Sequence, residues 1–294
     1  MAGWREWEIY KLAKKDYPSG LRRVKPRVKK LYYRGKWDEK LFSRAISVVG
    51  ARRMTKYGEV MTQKLVSGLV EAGWTIISGF MYGIDTMAHK TCLENNGRTV
   101  AVLGSGLDCL TPAENDNLYT KILESGGVVL SEFEPKQEAK LWTFPYRNRI
   151  VVGLSRALLV VEAGEKSGSL VTARWAFGQK KPVLAVPGAV TSSLSAGTNW
   201  LIKNGAKLAT DANDVLAELG ESLQGPSLQV RINLTGEEKQ VVELLKREEM
   251  DADEICRKLN QPISSVSILL SNLALEGAIE ESGGKFMVGL NYAD

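Results

Sequence analysis

The sequence predicts an α/β fold, a doubly wound parallel sheet followed by a small C-terminal winged-helix domain, on three observations. Six short runs that are apolar throughout recur between residues 45 and 219, and longer amphipathic stretches alternate with them. A polar break at 220–233 then precedes three helical patterns and a hairpin pattern centred on Gly283 and Gly284. Strands that are apolar on both faces belong in a parallel sheet covered by helices on both sides.

In chain order, residues 46–49, 75–77, 100–103, 128–130, 158–161 and 183–186 read as the buried strands. Helical patterns fall at 57–72, 85–95, 116–124, 170–179 and 200–204. Gly225, Pro226 and scattered polar residues mark 221–234 as a linker, which gives four segments: a basic N-terminal arm (1–44), the sheet domain (45–220), the linker, and a domain over 235–294. In the last, helices at 237–248, 253–259 and 264–277 and a hairpin at 279–288 make a winged helix-turn-helix. Its would-be recognition helix offers Ser265, Ser267, Ser271 and Asn272 but no Lys or Arg, which favours protein contact over reading of duplex DNA.

Ligands of such sheets sit beyond the carboxyl ends of the strands. The loops there are rich in small residues: Gly50, Ala51 and Arg52; Ser78 and Gly79; Gly104, Ser105 and Gly106; and Ser167, Gly168 and Ser169 directly before a helix. Bare backbone lets amides approach an anion, and a helix N-terminus adds partial positive charge. Four such loops on one edge predict a phosphate-lined groove. Residues 144–149, Phe, Pro, Tyr, Arg, Asn and Arg, point the same way. Pro145 suits a first helical position, and two arginines near a helix start oppose the dipole unless an anion or a carboxylate faces them. Both readings of Arg147 and Arg149, phosphate ligands or ion-paired residues, remain open on the sequence.

The net charge of +5 divides unevenly: 14 Lys or Arg against 5 Asp or Glu in residues 1–44, 19 against 17 in 45–234, and 6 against 12 in 235–294. A basic segment on a nearly neutral body suits a polyanionic partner, although it equally suits a solvated tail. Three distant cysteines and one histidine leave no zinc site or disulfide framework, so no metal or other cofactor is expected. No apolar run approaches a membrane span and the first thirty residues hold no signal-peptide core, which places the chain in the cytoplasm away from any membrane.

Read together, these segments resemble the DprA (Smf) family of DNA-processing proteins from about residue 31 to 219. The matching residues are Val49, Gly50, Ala51 and Arg52 with Tyr57 and Gly58; Ser78 and Gly79 leading to Gly83, Ile84, Asp85, Ala88 and His89; AVLGSGLD at 101–108; Ser131 and Glu132; FPYRNR at 144–149, which includes Asn148; Val161, Glu162 and Ala163; SGSLVTA at 167–173, which includes Thr172; and Val186, Pro187 and Gly188 followed by Gly197, Thr198 and Asn199. The resemblance implies an extended Rossmann-like domain that binds single-stranded DNA, self-associates as a homodimer, and helps load RecA during natural transformation. One position departs from the pattern. Relatives commonly carry Arg in an ARGID motif where this chain has Met81 and Tyr82 ahead of Gly83, so that Tyr82 either stacks a base or serves folding alone. The N-terminal part also looks short for the helical domain some relatives carry, hence the arm assigned to 1–44.

Several motif residues read as structural. His89 falls in an apolar helix register, Asp85 is placed to cap the helix after Gly83, and Glu162 could partner Arg147 or Arg149. An NAD-dependent oxidoreductase is disfavoured because Arg52 and Arg53 follow Gly50 and Ala51 where GxGxxG spacing is needed. A nucleotide phosphoribohydrolase of the LOG type is the nearer rival, but its PGGxGTxxE signature and glutamate are missing. The expectation is therefore a non-enzymatic single-strand DNA binder. Arg52, Arg147 and Arg149 would pair with phosphates, the loops at 104–106 and 167–169 would cradle them, and Phe144 would stack a base.

Overall fold

The computed structural model describes residues 3–221, 236–275 and 278–289. The chain divides into two compact units, residues 1–222 and 223–294. The strands of the first are β1 (Tyr10–Lys11), β2 (Tyr32–Gly35), β3 (Ala45–Val49), β4 (Thr75–Ser78), β5 (Thr99–Val102), β6 (Val128–Ser131), β7 (Ala157–Val160), β8 (Val183–Ala185) and β9 (Lys207–Leu208). Its helices are α1 (Ser19–Arg22), α2 (Lys56–Glu71), α3 (Ile84–Glu94), α4 (Asp116–Glu124), α5 (Thr143–Leu154), α6 (Gly168–Gly178), α7 (Ala196–Lys203) and α8 (Ala212–Glu218).

These strands make one sheet in the order β1-β2-β6-β5-β4-β3-β7-β8-β9. Every pairing from β6 to β9 is parallel. All six predicted strands are present, and successive residues go to opposite faces as a pleated strand requires. Val100 and Val102 pack into one buried cluster with Ile150, Leu158 and Ala173. Ala101 and Leu103 pack into another with Trp4, Phe80 and Tyr119.

The sheet departs from the predicted all-parallel form at one side, where β2 runs antiparallel to β6 and β1 antiparallel to β2. Residues 1–44 are accordingly no free arm. Leu12, Tyr17, Leu21, Val24, Val28 and Leu31 are buried in the main cluster while the lysines and arginines between them stay outside. From Tyr17 to Leu31 the apolar positions follow a helical spacing, yet only Ser19–Arg22 is helical and Pro26 interrupts the stretch, so its charge dominates the reading by sequence. One of its cations is buried: Arg34 donates to the carbonyls of Trp7 (2.9 Å) and Leu107 (2.8 Å) and to the Asp108 carboxylate (2.7 Å). Among the residues of the predicted linker, Glu221 alone is described, and it accepts from Arg44 and Arg156 at 2.7 Å each.

Helix α5 starts two residues earlier than the predicted Pro145 start. Pro145 takes the third position, where its missing N–H would in any case have no intrahelical partner. At the other end the Lys181 ammonium donates to the carbonyls of Val152 (2.6 Å), Gly153 (3.0 Å) and Ser155, closing off the helix.

The second unit contains α9 (Gly236–Leu245), α10 (Ala252–Leu259), α11 (Ile263–Leu275), and the antiparallel pair β10 (Ile279–Ser282) and β11 (Lys285–Val288). Val241, Leu245, Ile255, Val266, Leu270 and Ile279 form its core, and Asp251 and Glu254 make a capping box on α10. This is the predicted winged helix, and α11 carries no Lys or Arg.

Candidate nucleic-acid interface

From β3 the chain winds outward through β4, β5 and β6, then returns to β7 on the other side of β3. The carboxyl ends of β3 and β7 therefore flank the topological switch point, where an open sheet leaves a crevice. A groove of about 680 Å³ lies there. Gly50, Arg52 and Arg53 enter it from the loop after β3, Gly79 from the loop after β4, Asp85 from the first turn of α3, Phe144, Arg147 and Asn148 from α5, and Lys166, Ser167, Gly168, Ser169 and Thr172 from the start of α6.

The floor is built by close approach. A Cβ on Gly79 would lie 2.6 Å from Asp85 Oδ2 and 2.7 Å from Arg147 Nη2, so only glycine leaves room for both side chains. Arg147, though lining the groove, is 1 % exposed and donates to the Gly79 carbonyl and to Asn148 Oδ1 (3.2 Å). Asn148 in turn donates to the Thr172 hydroxyl at 2.8 Å. Across the groove Ser167 caps α6 by accepting from the Ser169 amide (3.1 Å), and the Ser169 hydroxyl donates to the Gly50 carbonyl (2.8 Å). The first turn of α6 is thereby tied to the loop after β3 with its amide end on the groove.

Arg52, Arg53 and Lys166 are exposed, and none stands in an ion pair among the described residues. The Arg52 guanidinium sits 5.6 Å from the centre of the Phe144 ring, a cation–π geometry. Asp85 is the one carboxylate in the lining. Burial pushes it up to about 6, against the pull of Arg147 and the Met81 amide. Burial likewise lowers Arg147, but at about 10 the guanidinium stays charged at neutral pH. The groove is positive and has one carboxyl that titrates near physiological pH.

The structure thus brings together Gly50, Arg52, Gly79, Phe144, Arg147, Asn148, Ser167, Gly168, Ser169 and Thr172. Two of the predicted contacts do not join them. Arg149 is fully buried and forms a forked ion pair with Glu132 (Nη2 to Oε2 2.6 Å), donates to the carbonyls of Pro26 (3.1 Å) and Tyr146 (3.0 Å), and lies 3.8 Å from the Tyr146 ring centre. It has no donor face left for a phosphate. The loop at 104–106 is used internally: the Gly106 amide donates to Gln137 O (2.7 Å), the Ser105 hydroxyl to Cys109 O (2.5 Å), and Gly104 is bare because the Phe144 ring lies over it. Those glycines serve packing rather than anion binding.

Two smaller readings also change, and the open one at Tyr82 is narrowed. Glu162 pairs with neither arginine but accepts from the Thr55 amide (2.9 Å) and hydroxyl at the start of α2. Gly83, not Asp85, occupies the α3 cap position, and Asp85 accepts from the Met81 amide (3.4 Å). Tyr82 lies outside the groove lining, with its hydroxyl donating to Glu114 at 2.7 Å. His89 is a core residue as expected. The Thr99 hydroxyl donates to Ile76 O, so it accepts from His89 Nδ1 (2.7 Å), and burial holds the imidazole neutral down to about 3. Arg53 and Lys166 were missed, although each adjoins a motif residue and is visible as an extra cation there.

A family model for DNA recombination-mediator protein A matches residues 8–220, and one for the DprA winged helix domain matches residues 226–285. The chain belongs to the DNA recombination-mediator protein A (DprA) family. Similar DprA relatives include Protein Smf of Escherichia coli (strain K12), 38% identical over 255 residues that make up 84% of this chain and 68% of that one. DNA processing protein DprA of Streptococcus pneumoniae is 41% identical over 202 residues, 69% of this chain and 71% of that one. Protein Smf of Synechocystis is 41% identical over 208 residues, 70% of this chain, and the chain spans only about half (52%) of that protein's length. Among solved DprA structures, that from Streptococcus pneumoniae superposes with a TM-score of 0.67 at 37% identity, covering 74% of this chain and 75% of that one. A Helicobacter pylori DprA structure concerned with that protein's single-stranded DNA binding mode gives a TM-score of 0.65 at 29% identity, covering 73% and 96%. In this DprA chain the Rossmann-like sheet and the winged helix are thus both family features.

Proposed function

We propose that this chain binds single-stranded DNA in the switch-point groove, as a non-enzymatic mediator that passes the strand to RecA during natural transformation in the cytoplasm. The observation that carries the reading is the Arg52 and Phe144 pair standing across one groove from the α6 N-terminus. Phosphates need cations and bare amides, and an unstacked base needs an aromatic face. Backbone and stacking contacts hold little sequence information, so binding is expected to tolerate any sequence. Self-association as a homodimer is part of the proposal. Support for it comes from Trp200 and Leu208, each about half exposed, near the β9 margin.

One observation favours a second reading. A carboxyl at about 6 in a phosphate groove is what acid–base work on a nucleotide would need. Against it, Asp85 is buried beneath Gly79 beside Arg147, with no second carboxylate lining the groove.

The test is equilibrium binding of labelled single-stranded and double-stranded oligonucleotides across a salt series, with a nucleoside monophosphate hydrolysis assay alongside. Tighter single-strand binding without hydrolysis is expected. Equal or tighter duplex binding overturns the proposal, and hydrolysis abolished by Asp85→Asn favours the rival.

A further inference from the structure

The first turn of α5 has two sides. Successive helical residues turn about 100°, so Trp142 and Tyr146 share one face while Phe144 points to the other, into the groove. On the face away from the groove Trp142 is 54 % exposed, and Leu141 just before it is 93 % exposed. Trp142 precedes the helix without capping it by its side chain, so helix geometry does not account for an indole there.

The exposed indole is nevertheless held still. Phe133 meets it edge to face at 6.0 Å, and Tyr146 does so at 5.9 Å. The Tyr146 ring rests on the Arg149 guanidinium, which Glu132 holds through a forked ion pair. A buried ion pair thus fixes the orientation of a surface aromatic, and a rigid ring loses little freedom when a base stacks on it.

Basic chain runs past the same corner. The Pro26 carbonyl accepts from Arg149, and Lys30 pairs with Glu134, which together pin residues 26–30 beside α5. Lys25, Arg27 and Lys29 are exposed there and stand in no ion pair among the described residues. Exposed Lys136 and Lys140 add to this charge along the segment leading into α5, and Glu138 opposes it.

We propose that Trp142 and the Lys25, Arg27 and Lys29 run form a second single-stranded DNA subsite, continuous with the groove around the start of α5. The inference rests on the groove reading, since it extends the same strand. An aromatic platform flanked by unpaired cations is the composition that tracks single strands. Phe144 and Pro145, two and three residues after Trp142, carry the path from one site to the other.

The test uses the full chain with oligo-dT of about 6 and about 20 nucleotides, a range set by typical single-strand site sizes. Trp142→Ala is expected to weaken the longer oligomer about tenfold and to leave the shorter unchanged, with Trp142→Phe close to wild type. Replacing Lys25, Arg27 and Lys29 together by Ala should flatten the log–log salt dependence by about 2 for the longer oligomer alone. Arg52→Ala should weaken both lengths. If Arg52→Ala weakens both lengths and the outer variants change neither, or change both equally, the subsite is refuted and the groove stands. Should Arg52→Ala change neither, the groove reading itself fails. A change in sedimented mass with unaltered affinity in Trp142→Ala assigns the patch to self-association instead and overturns the proposal.

Discussion

Arg149 uses its guanidinium on Glu132 and two carbonyls, whereas Arg52 lies exposed over Phe144 with its charge unneutralised. Their substitutions should separate cleanly. Arg149→Ala removes the buried partner of the largely enclosed Glu132 carboxylate and should cost about 3 kcal/mol of folding stability. Arg52→Ala should leave the urea midpoint unchanged while lowering the salt slope of single-strand binding by about 0.7. A loss of stability in the second variant, or none in the first, contradicts the assignment. Asp85 gives the groove a pH dependence. The groups facing it are Arg147, Arg52, the Ser78 hydroxyl and the Met81 amide, and the one histidine is neutral throughout. Protonation through about 6 removes the negative charge beside Arg147, so affinity for single strands should rise several-fold between pH 7.5 and pH 5.5, with Asp85→Asn abolishing the change. Stability moves in the same direction. The folded value lies above the ordinary 3.8, so the stabilisation is full below about 4 and is lost as pH rises through about 6. Two arginines separated by one residue were indistinguishable in the sequence, since they lie some 200° apart on a helix whose facing was unknown. The deciding partner of Arg149, Glu132, stood in plain view in the Ser131 and Glu132 motif, but nothing local says that β6 brings it alongside α5.

Helix α5 supplies Phe144, Arg147 and Asn148, and its far end depends on one side chain. Three carbonyls accept from Lys181, and Lys181→Met keeps the apolar stem while removing every donor. A loss of about 1–3 kcal/mol in chemical denaturation is expected, and an unchanged midpoint would mean that water replaces the ammonium. Elements buried on both faces were legible, because a run such as Val100, Ala101 and Val102 has no polar side to confuse the period. Strands β1 and β9 escaped, being two exposed residues each, and β2 escaped because Arg34, a buried cation, breaks its apolar pattern. The glycines at 104 and 106 misled for a related reason. Close packing and anion binding both ask for a missing Cβ, and only the contacts of Phe144 and Glu134 tell them apart.

At the scale of the whole molecule the groove, the outer aromatic face and the basic run all belong to the unit ending at residue 222. A chain terminated after Ser222 should fold and keep most of its single-strand affinity, measured by anisotropy. Cutting before Glu221 also removes the carboxylate that joins Arg44 to Arg156, an exposed contact worth no more than about 1 kcal/mol. Loss of binding beyond about a hundredfold in the longer form, roughly 2.7 kcal/mol, would transfer the DNA contact to the winged helix. Against that outcome stand the acidic balance of residues 235–294 and a recognition helix without a cation.

The two margins of the nine-stranded sheet are alike in a way that bears on the company the protein can keep. Each is a strand of two residues with a lysine in it, Tyr10–Lys11 on one side and Lys207–Leu208 on the other. So short and charged a border offers almost no row of free amides and carbonyls on which another backbone could template itself. Copies brought together on the single strand proposed above would therefore meet no edge on which to zip into fibres, and pairing between them would have to be made by side chains.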